Sequence, residues 1–238
     1  MESPIKSRSM KLAGLTAVAL ACLALGRLPP LLSGSSSLQG RPAAGYLALT
    51  ALVAAGQVLL LVWASRRLDL PPTGDLAGRQ TAVWWRPLAA LAVFIVMGLL
   101  QASLTGLGGA SQAAASPLVS SGSRSPAWIV AAALFAIGIG CQEELLYRRF
   151  LADGLDSCLA DATNDGDPAG GATRSRLKAE LASSLLFGFG HLYQGWSGGL
   201  AAFVAGWLLC RLYRRGRDWP SLALGHAAWD FFVLMMRA

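Results

Sequence analysis

The chain has 238 residues, 54% of them hydrophobic and only 14% charged, with a mean hydropathy of +0.49. A soluble domain carries about a quarter charged residues, so this composition excludes an ordinary soluble globular protein and describes an integral membrane one. The formal charge is +7; the basic residues stand beside apolar runs, where they read as topology signals and anionic-lipid contacts and not as a nucleic-acid surface.

A basic start (Lys6, Arg8, Lys11) leads into a first apolar run over about residues 11–32. It has the outline of a signal peptide, but Arg27-Leu28-Pro29-Pro30 is a poor small-residue cleavage site, so it reads as a retained first span. Further runs follow at about 44–64, 87–107, 127–148, 178–194, 198–213 and 219–236. Each is long enough, or nearly so, for the roughly 20 helical residues that cross a bilayer. Pro87, Pro126 and Pro220 stand at or just before helix starts, where proline is tolerated. The Gly/Ser/Ala-rich stretch 107–126 and the polar stretch 160–173, with Asn164-Asp165-Gly166-Asp167-Pro168, read as mobile connections. The fold class expected is therefore all-α: a polytopic transmembrane bundle of about seven spans. Residues 1–110 form three spans without a motif, and residues 127–236 form a four-span functional unit.

Charge orients the bundle. With a cytoplasmic N-terminus and seven crossings, 16 Lys and Arg face the cytoplasm and four face outside, as the positive-inside rule requires. The four cysteines (Cys22, Cys141, Cys158, Cys210) have no CxxC or CxxH spacing. They are expected as free thiols, neither a disulfide frame nor a zinc knuckle.

Five ionisable side chains fall where lipid should be: Glu143, Glu144, His191, His226 and Asp230. His191 and His226 are the only histidines of the chain. The other acidic residues are expected in the tail or loops, with Glu180 at a helix mouth. An ionisable group at membrane depth is costly unless paired or hydrated, and by default marks a functional site. At ~1.5 Å per residue, Glu143 lies roughly 7 Å inside the cytoplasmic end of span four, His226 about 10 Å below the start of span seven, and His191 roughly 15–20 Å deep. A water-filled pocket open to the cytoplasm would join all three. Glu144 and Arg148, at i,i+4 with the acid first, suit a helix-surface salt bridge, leaving Glu143 free to face the interior. Phe187 and His191 share a face, as do His226 and Asp230. Asp230 then reads as the residue that orients His226. A sequestered carboxylate can act as general base, one imidazole can share its water, and a second can stabilise an oxyanion. That is equipment for hydrolysing an amide without a covalent nucleophile. Glu143, His191 and His226 also suit Zn²⁺ as a ligand set.

Glu143-Glu144-Leu145-Leu146-Tyr147-Arg148 resembles the EExxxR motif of the CPBP family, the CAAX protease and bacteriocin-processing intramembrane proteases. Phe187-Gly188-Phe189-Gly190-His191 resembles its FxxxH motif. His226-Ala227-Ala228-Trp229-Asp230 resembles its HxxxN/D motif. Order and spacing agree over roughly residues 127–236. The resemblance implies Glu143 with His191 as the pair that activates water, and His226 with Asp230 at the oxyanion. Glu144, Arg148 and Phe187 support them. An ionised Asp230 would repel an oxyanion, so it is assigned to orienting His226 or to being protonated. The implied mechanism is metal-free and glutamate-based, with no cofactor, although zinc remains chemically open.

Several rival readings can be weighed. Gly195-Trp196-Ser197-Gly198 spells the rhomboid serine motif, but Ser197 is expected in an outer turn, about 24 Å of helix away from His226. HExxH is absent. A non-catalytic immunity or scaffold module of the same fold, or a proton-coupled transporter, would use the same residues differently. The expected partner is a membrane-anchored protein or peptide substrate in the lipid bilayer, with no nucleic acid. The Ala, Gly, Leu and Arg-rich composition points to a bacterial cytoplasmic membrane.

Overall fold

The computed structural model of the chain describes residues 4–26, 44–70, 85–107, 125–160 and 168–237. Residues 27–30, most of the Gly/Ser/Ala-rich connection and the turn residues 164–167 lie outside them. Every described element is helical. They are α1 (Pro4–Leu25), α2 (Ala44–Arg67), α3 (Trp85–Leu107), α4 (Pro126–Glu144), a π-helical segment (Leu145–Asp153), α5 (Gly154–Ala160), α6 (Pro168–Gly190), a 3₁₀ turn (Leu192–Gln194), α7 (Gly195–Arg214) and α8 (Trp219–Arg237). Among the described residues, four stretches are long and apolar enough to cross a membrane: Arg8–Leu25, Ala44–Arg67, Trp85–Leu104 and Pro126–Ala160. The apolar runs read at 178–194, 198–213 and 219–236 are also helices, but fall outside that set.

Several boundaries differ from the sequence reading, each for a local reason. The first helix begins at Pro4, so the basic start is part of it. The fourth does not stop at residue 148. It continues through the π segment into α5, because Arg148 is buried and paired and gives the helix no reason to end. Residues 168–173 are the first turns of α6 and not a loop. Glu180 is therefore mid-helix and 2% exposed, bonded to Arg211 at 3.0 Å and Arg214 at 3.4 Å. Asp153 and Asp156 are likewise helical and paired, not in loops. Asp153 meets Tyr213 Oη at 2.8 Å, Arg217 at 2.6 Å and Arg214 at 3.3 Å. Arg214 reaches Asp156 at 2.8 Å. This ionic cluster ties the π segment, α5 and α6 to the end of α7.

Helix α8, which carries His226, is held between α3 and α4. Its first turn is capped by Asp218, whose Oδ1 accepts the Ser221 N–H at 3.2 Å while Oδ2 meets Arg86 at 3.4 Å. Two glycines let the backbones touch. A Cβ on Gly140 of α4 would sit 2.8 Å from the Ala223 carbonyl, and one on Gly225 would overlap the Pro87 carbonyl of α3. Gly225→Ala should therefore cost about 1–3 kcal/mol through overpacking. Gly56→Ala, where nothing lies within 4 Å, should be neutral or stabilising by up to about 1 kcal/mol. Thermal melts of the two purified variants check the contrast.

Candidate active site

The site begins where α4 gives way to the π segment, and π segments are frequent at functional sites. Glu144 and Arg148 are both fully buried, with Arg148 Nε donating to Glu144 Oε2 at 3.0 Å. The pair is thus interior, not on a helix surface as the spacing alone suggested. The Arg148 guanidinium lies 4.7 Å from the centre of the Phe187 ring, which spreads its charge over an aromatic face. Phe187 is 1% exposed and packs between Arg148 and the His191 ring, 4.4 Å away centre to centre.

Glu144 has a second partner. Its Oε1 lies 2.9 Å from His226 Nδ1, so the carboxylate bridges Arg148 and the imidazole. Because a carboxylate accepts, Nδ1 is the donor, and His226 Nε2 is turned the other way. There it stands 3.6 Å from Glu143 Oε2 and 3.8 Å from Asp230 Oδ2, too far for direct hydrogen bonds. The orienting carboxylate of His226 is therefore Glu144, and the expectation that Asp230 fills that role is corrected. Sharing a face at i,i+4 brought Asp230 near the ring, but the tertiary contact is shorter. Phe94 of α3 covers the imidazole at 4.2 Å.

Glu143 differs from its neighbour in every respect. Its side chain is 20% exposed, yet Oε2 is buried without a hydrogen-bond partner. A buried acceptor left unmet costs about 1–3 kcal/mol unless a water supplies the donor.

His191 lies just past the end of α6, in the turn before the 3₁₀ segment. Its Nδ1 is 2.8 Å from the Phe187 carbonyl. A carbonyl only accepts, so Nδ1 carries hydrogen and the neutral ring keeps Nε2 as an acceptor. Gly195, with φ of 85°, supplies the left-handed step that reverses the chain into α7. Gln194 and Gly198 line the same cavity as His191.

A cavity of about 100 Å³ is lined by His191, His226 and Asp230 together with Phe187, Gln194 and Trp229, which is room for several waters. Glu143 is not among its walls; it meets the group through His226. The pocket expected to join Glu143 to both histidines is thus a cavity joining the histidines and Asp230. Gly198 lines the same cavity, so the helix length expected to separate the GWSG stretch from His226 does not hold. Ser197 is in the first turn of α7 and is not among the cavity walls. Among the described residues, no group of three or more His, Cys, Asp or Glu is arranged to hold a metal ion.

Sequence reasoning did not single out Gln194, Phe94 or Trp229. Gln194 carried a signal, as an amide three residues after a motif histidine. Phe94 and Trp229 carried none, because one aromatic in an apolar run looks like any other.

Residues 124–232, a little under half of the chain, match the family model for type II CAAX prenyl endopeptidase, Rce1-like. The three motifs at 143–148, 187–191 and 226–230 all fall inside the matched stretch. No curated protein and no solved structure gives a significant match.

Proposed function

We propose that the chain, whose residues 124–232 match the family model for type II CAAX prenyl endopeptidase, Rce1-like, is an intramembrane endopeptidase that hydrolyses a peptide bond of a membrane-anchored protein or peptide through a Glu143-activated water. The observation that carries this reading is the unpartnered Glu143 Oε2, 3.6 Å from His226 Nε2. It is a buried acceptor waiting for a hydrogen, beside a ring nitrogen that Glu144 has turned towards it.

In the proposed reaction Glu143 takes a proton from water as its oxygen bonds to the scissile carbonyl carbon. His191 Nε2 accepts the water's other hydrogen and fixes its position. The developing oxyanion is met by the Nε2–H of His226 as the imidazolium, which carries hydrogen on both nitrogens and is held through Nδ1 by Glu144. The C–N bond then breaks, and Glu143 returns its proton to the leaving amine. Asp230 lies beside His226, with Oδ2 3.8 Å from Nε2, and lines the same cavity. No cofactor takes part in this scheme. Glu143, His191 and His226, which suit zinc by residue type, are not arranged as a metal-holding group among the described residues.

Reconstitution with membrane-anchored peptides, and mass spectrometry of the new termini, tests the activity. Discrete cleavage lost in His191→Ala supports it, and no cleavage across such a peptide panel overturns it. Ser197→Ala should keep full activity, against a serine mechanism. Activity should also survive dialysis against a chelator, with no stoichiometric zinc by elemental analysis. Loss on chelation with recovery on adding zinc would make Glu143 a ligand and not the base.

The proposed setting is a bacterial cytoplasmic membrane with seven crossings and the N-terminus inside. Arg148, being buried, drops out of the loop charges, but the remaining distribution keeps the same sign. Single cysteines at Asp165 and Arg215 should then label from the cytoplasmic side and one at Ser121 from outside. Gly216 is avoided because a Cβ there would enter the Arg86 guanidinium. Labelling of Asp165 from outside would invert the topology.

A further inference from the structure

Tyr147 stands one helical turn after Glu143, at the start of the π segment. It is 7% exposed, and its ring meets the Phe187 ring edge-on at 5.0 Å. Its backbone carbonyl accepts the Ser183 hydroxyl, so backbone and ring are both fixed. The phenol hydroxyl differs: among the described residues it has no hydrogen-bond partner. Helical side chains lean towards the N-terminus, which carries this hydroxyl back towards Glu143. It lies against the bare Cα of Gly190, the residue before His191, where a Cβ would sit 3.4 Å from it. Tyr147 and Gly190 together close one end of a cleft of about 420 Å³ between α1, the π segment and α6. Leu20, Leu186 and Phe189 of its walls are exposed on the outer face of the helices. The only other polar side chain in the walls is Thr16, whose hydroxyl donates to the Leu12 carbonyl at 2.9 Å.

We propose that the Tyr147 hydroxyl donates to a backbone carbonyl of the bound substrate, beside the peptide bond to be cleaved, and so fixes the chain against Glu143 and His191. The inference rests on the endopeptidase reading above. A buried hydroxyl without a partner is costly, and what satisfies it here must bring an acceptor into an apolar cleft. Lipid tails carry none. Lipid ester carbonyls lie outside the hydrocarbon core, whereas Tyr147 is roughly 15–20 Å of helix from Ala160, where its apolar stretch ends. A peptide drawn to Glu143 and His191 brings carbonyls to that depth, because the cleft ends one residue from His191 and one turn from Glu143. The contact is to the backbone, so it places the chain without selecting its side chains.

The test takes membrane-anchored peptides of the panel above and replaces their amides by esters, one position at a time, leaving the scissile amide intact. An ester carbonyl is the weaker acceptor. With the full-length wild type in phosphatidylcholine vesicles, an ester at one position flanking the scissile bond should lower kcat/KM about three- to tenfold, as for one neutral hydrogen bond. Tyr147→Phe, which removes only the hydroxyl, should lower kcat/KM for the all-amide peptide by a similar factor. In that variant the same ester should have no further effect, since residue and carbonyl form one pair. Unchanged kcat/KM in Tyr147→Phe would overturn the proposal. So would an ester profile identical in the two proteins, because the hydroxyl would then act through packing alone. Labelling of Tyr147 by a diazirine phosphatidylcholine that the peptide does not displace would overturn it too, with bilayer lipid as the occupant. Fluorescence anisotropy of the same peptides on Glu143→Gln, with and without Tyr147→Phe, repeats the cycle without turnover. If the wild type cleaves no peptide, the endopeptidase reading fails and this binding cycle still decides the Tyr147 contact; a panel that does not bind overturns both.

Discussion

Glu143→Gln should lower peptide-bond cleavage about 10²–10⁴-fold, the range contributed by a positioned general base, while protein yield and melting temperature stay at wild-type values. The substitution is nearly isosteric and removes only the ability to take a proton. Stability should be spared because Glu143 Oε2 has no hydrogen-bond partner to lose. Glu143→Asp keeps the carboxylate but withdraws it by one methylene, so it should fall between the two. The measurement is initial cleavage rate in proteoliposomes alongside a thermal melt. A well-folded Glu143→Gln protein retaining more than a tenth of wild-type rate would remove Glu143 from the role of base.

The neighbouring residue should fail in a different way. Glu144→Gln weakens the buried partner of Arg148 and the acceptor of His226 Nδ1 at once. Removing one member of a buried ion pair costs about 3–5 kcal/mol, because the other charge stays buried without compensation. An exposed i,i+4 pair would be worth only about 0.3–0.5 kcal/mol, so melting distinguishes the two environments sharply. Glu144→Leu with Arg148→Met removes both charges and should recover most of the lost stability. It should not recover cleavage, since His226 is then free to turn. Wild-type melting of Glu144→Gln would mean that the pair contributes little, and full activity in the double variant would mean that His226 needs no orienting carboxylate.

The contrast between adjacent glutamates shows how far the residues alone reach. Their position in an apolar run, with both histidines of the chain in other apolar runs, marks them as a site on membrane cost alone. The i,i+4 relation of Glu144 and Arg148 predicts their pairing, since helical spacing is a local property. Nothing local reveals that the pair is interior, because burial of that face depends on α6 and α8 packing over it. Nor could spacing choose between Asp230 and Glu144 as the partner of His226. Asp230 is the nearer in sequence by far, and the closer contact comes from 82 residues away.

The helix boundaries divide along the same line. Apolar length and proline placement located the long helices among the described residues, because covering backbone hydrogen bonds in lipid leaves a helix as the form such runs take. The ends of α4 and α6 were misread because charged residues look like loop residues until their partners are seen. Asp153, Asp156, Glu180 and their arginines meet only after α5, α6 and α7 converge.

By itself, then, the sequence determined that this is a helical membrane protein with three motifs that resemble those of one protease family, since hydropathy and residue type are fixed before folding. Which carboxylate grips His226, which is left without a hydrogen-bond partner, and that the Trp229 indole rests on Gly98 at the wall of the cavity were decided by the tertiary structure. Each of those depends on distances between helices, and such distances are set by packing at contacts such as Gly140, Gly225 and Gly98, where the absence of a side chain lets two backbones, or a backbone and a ring, come together.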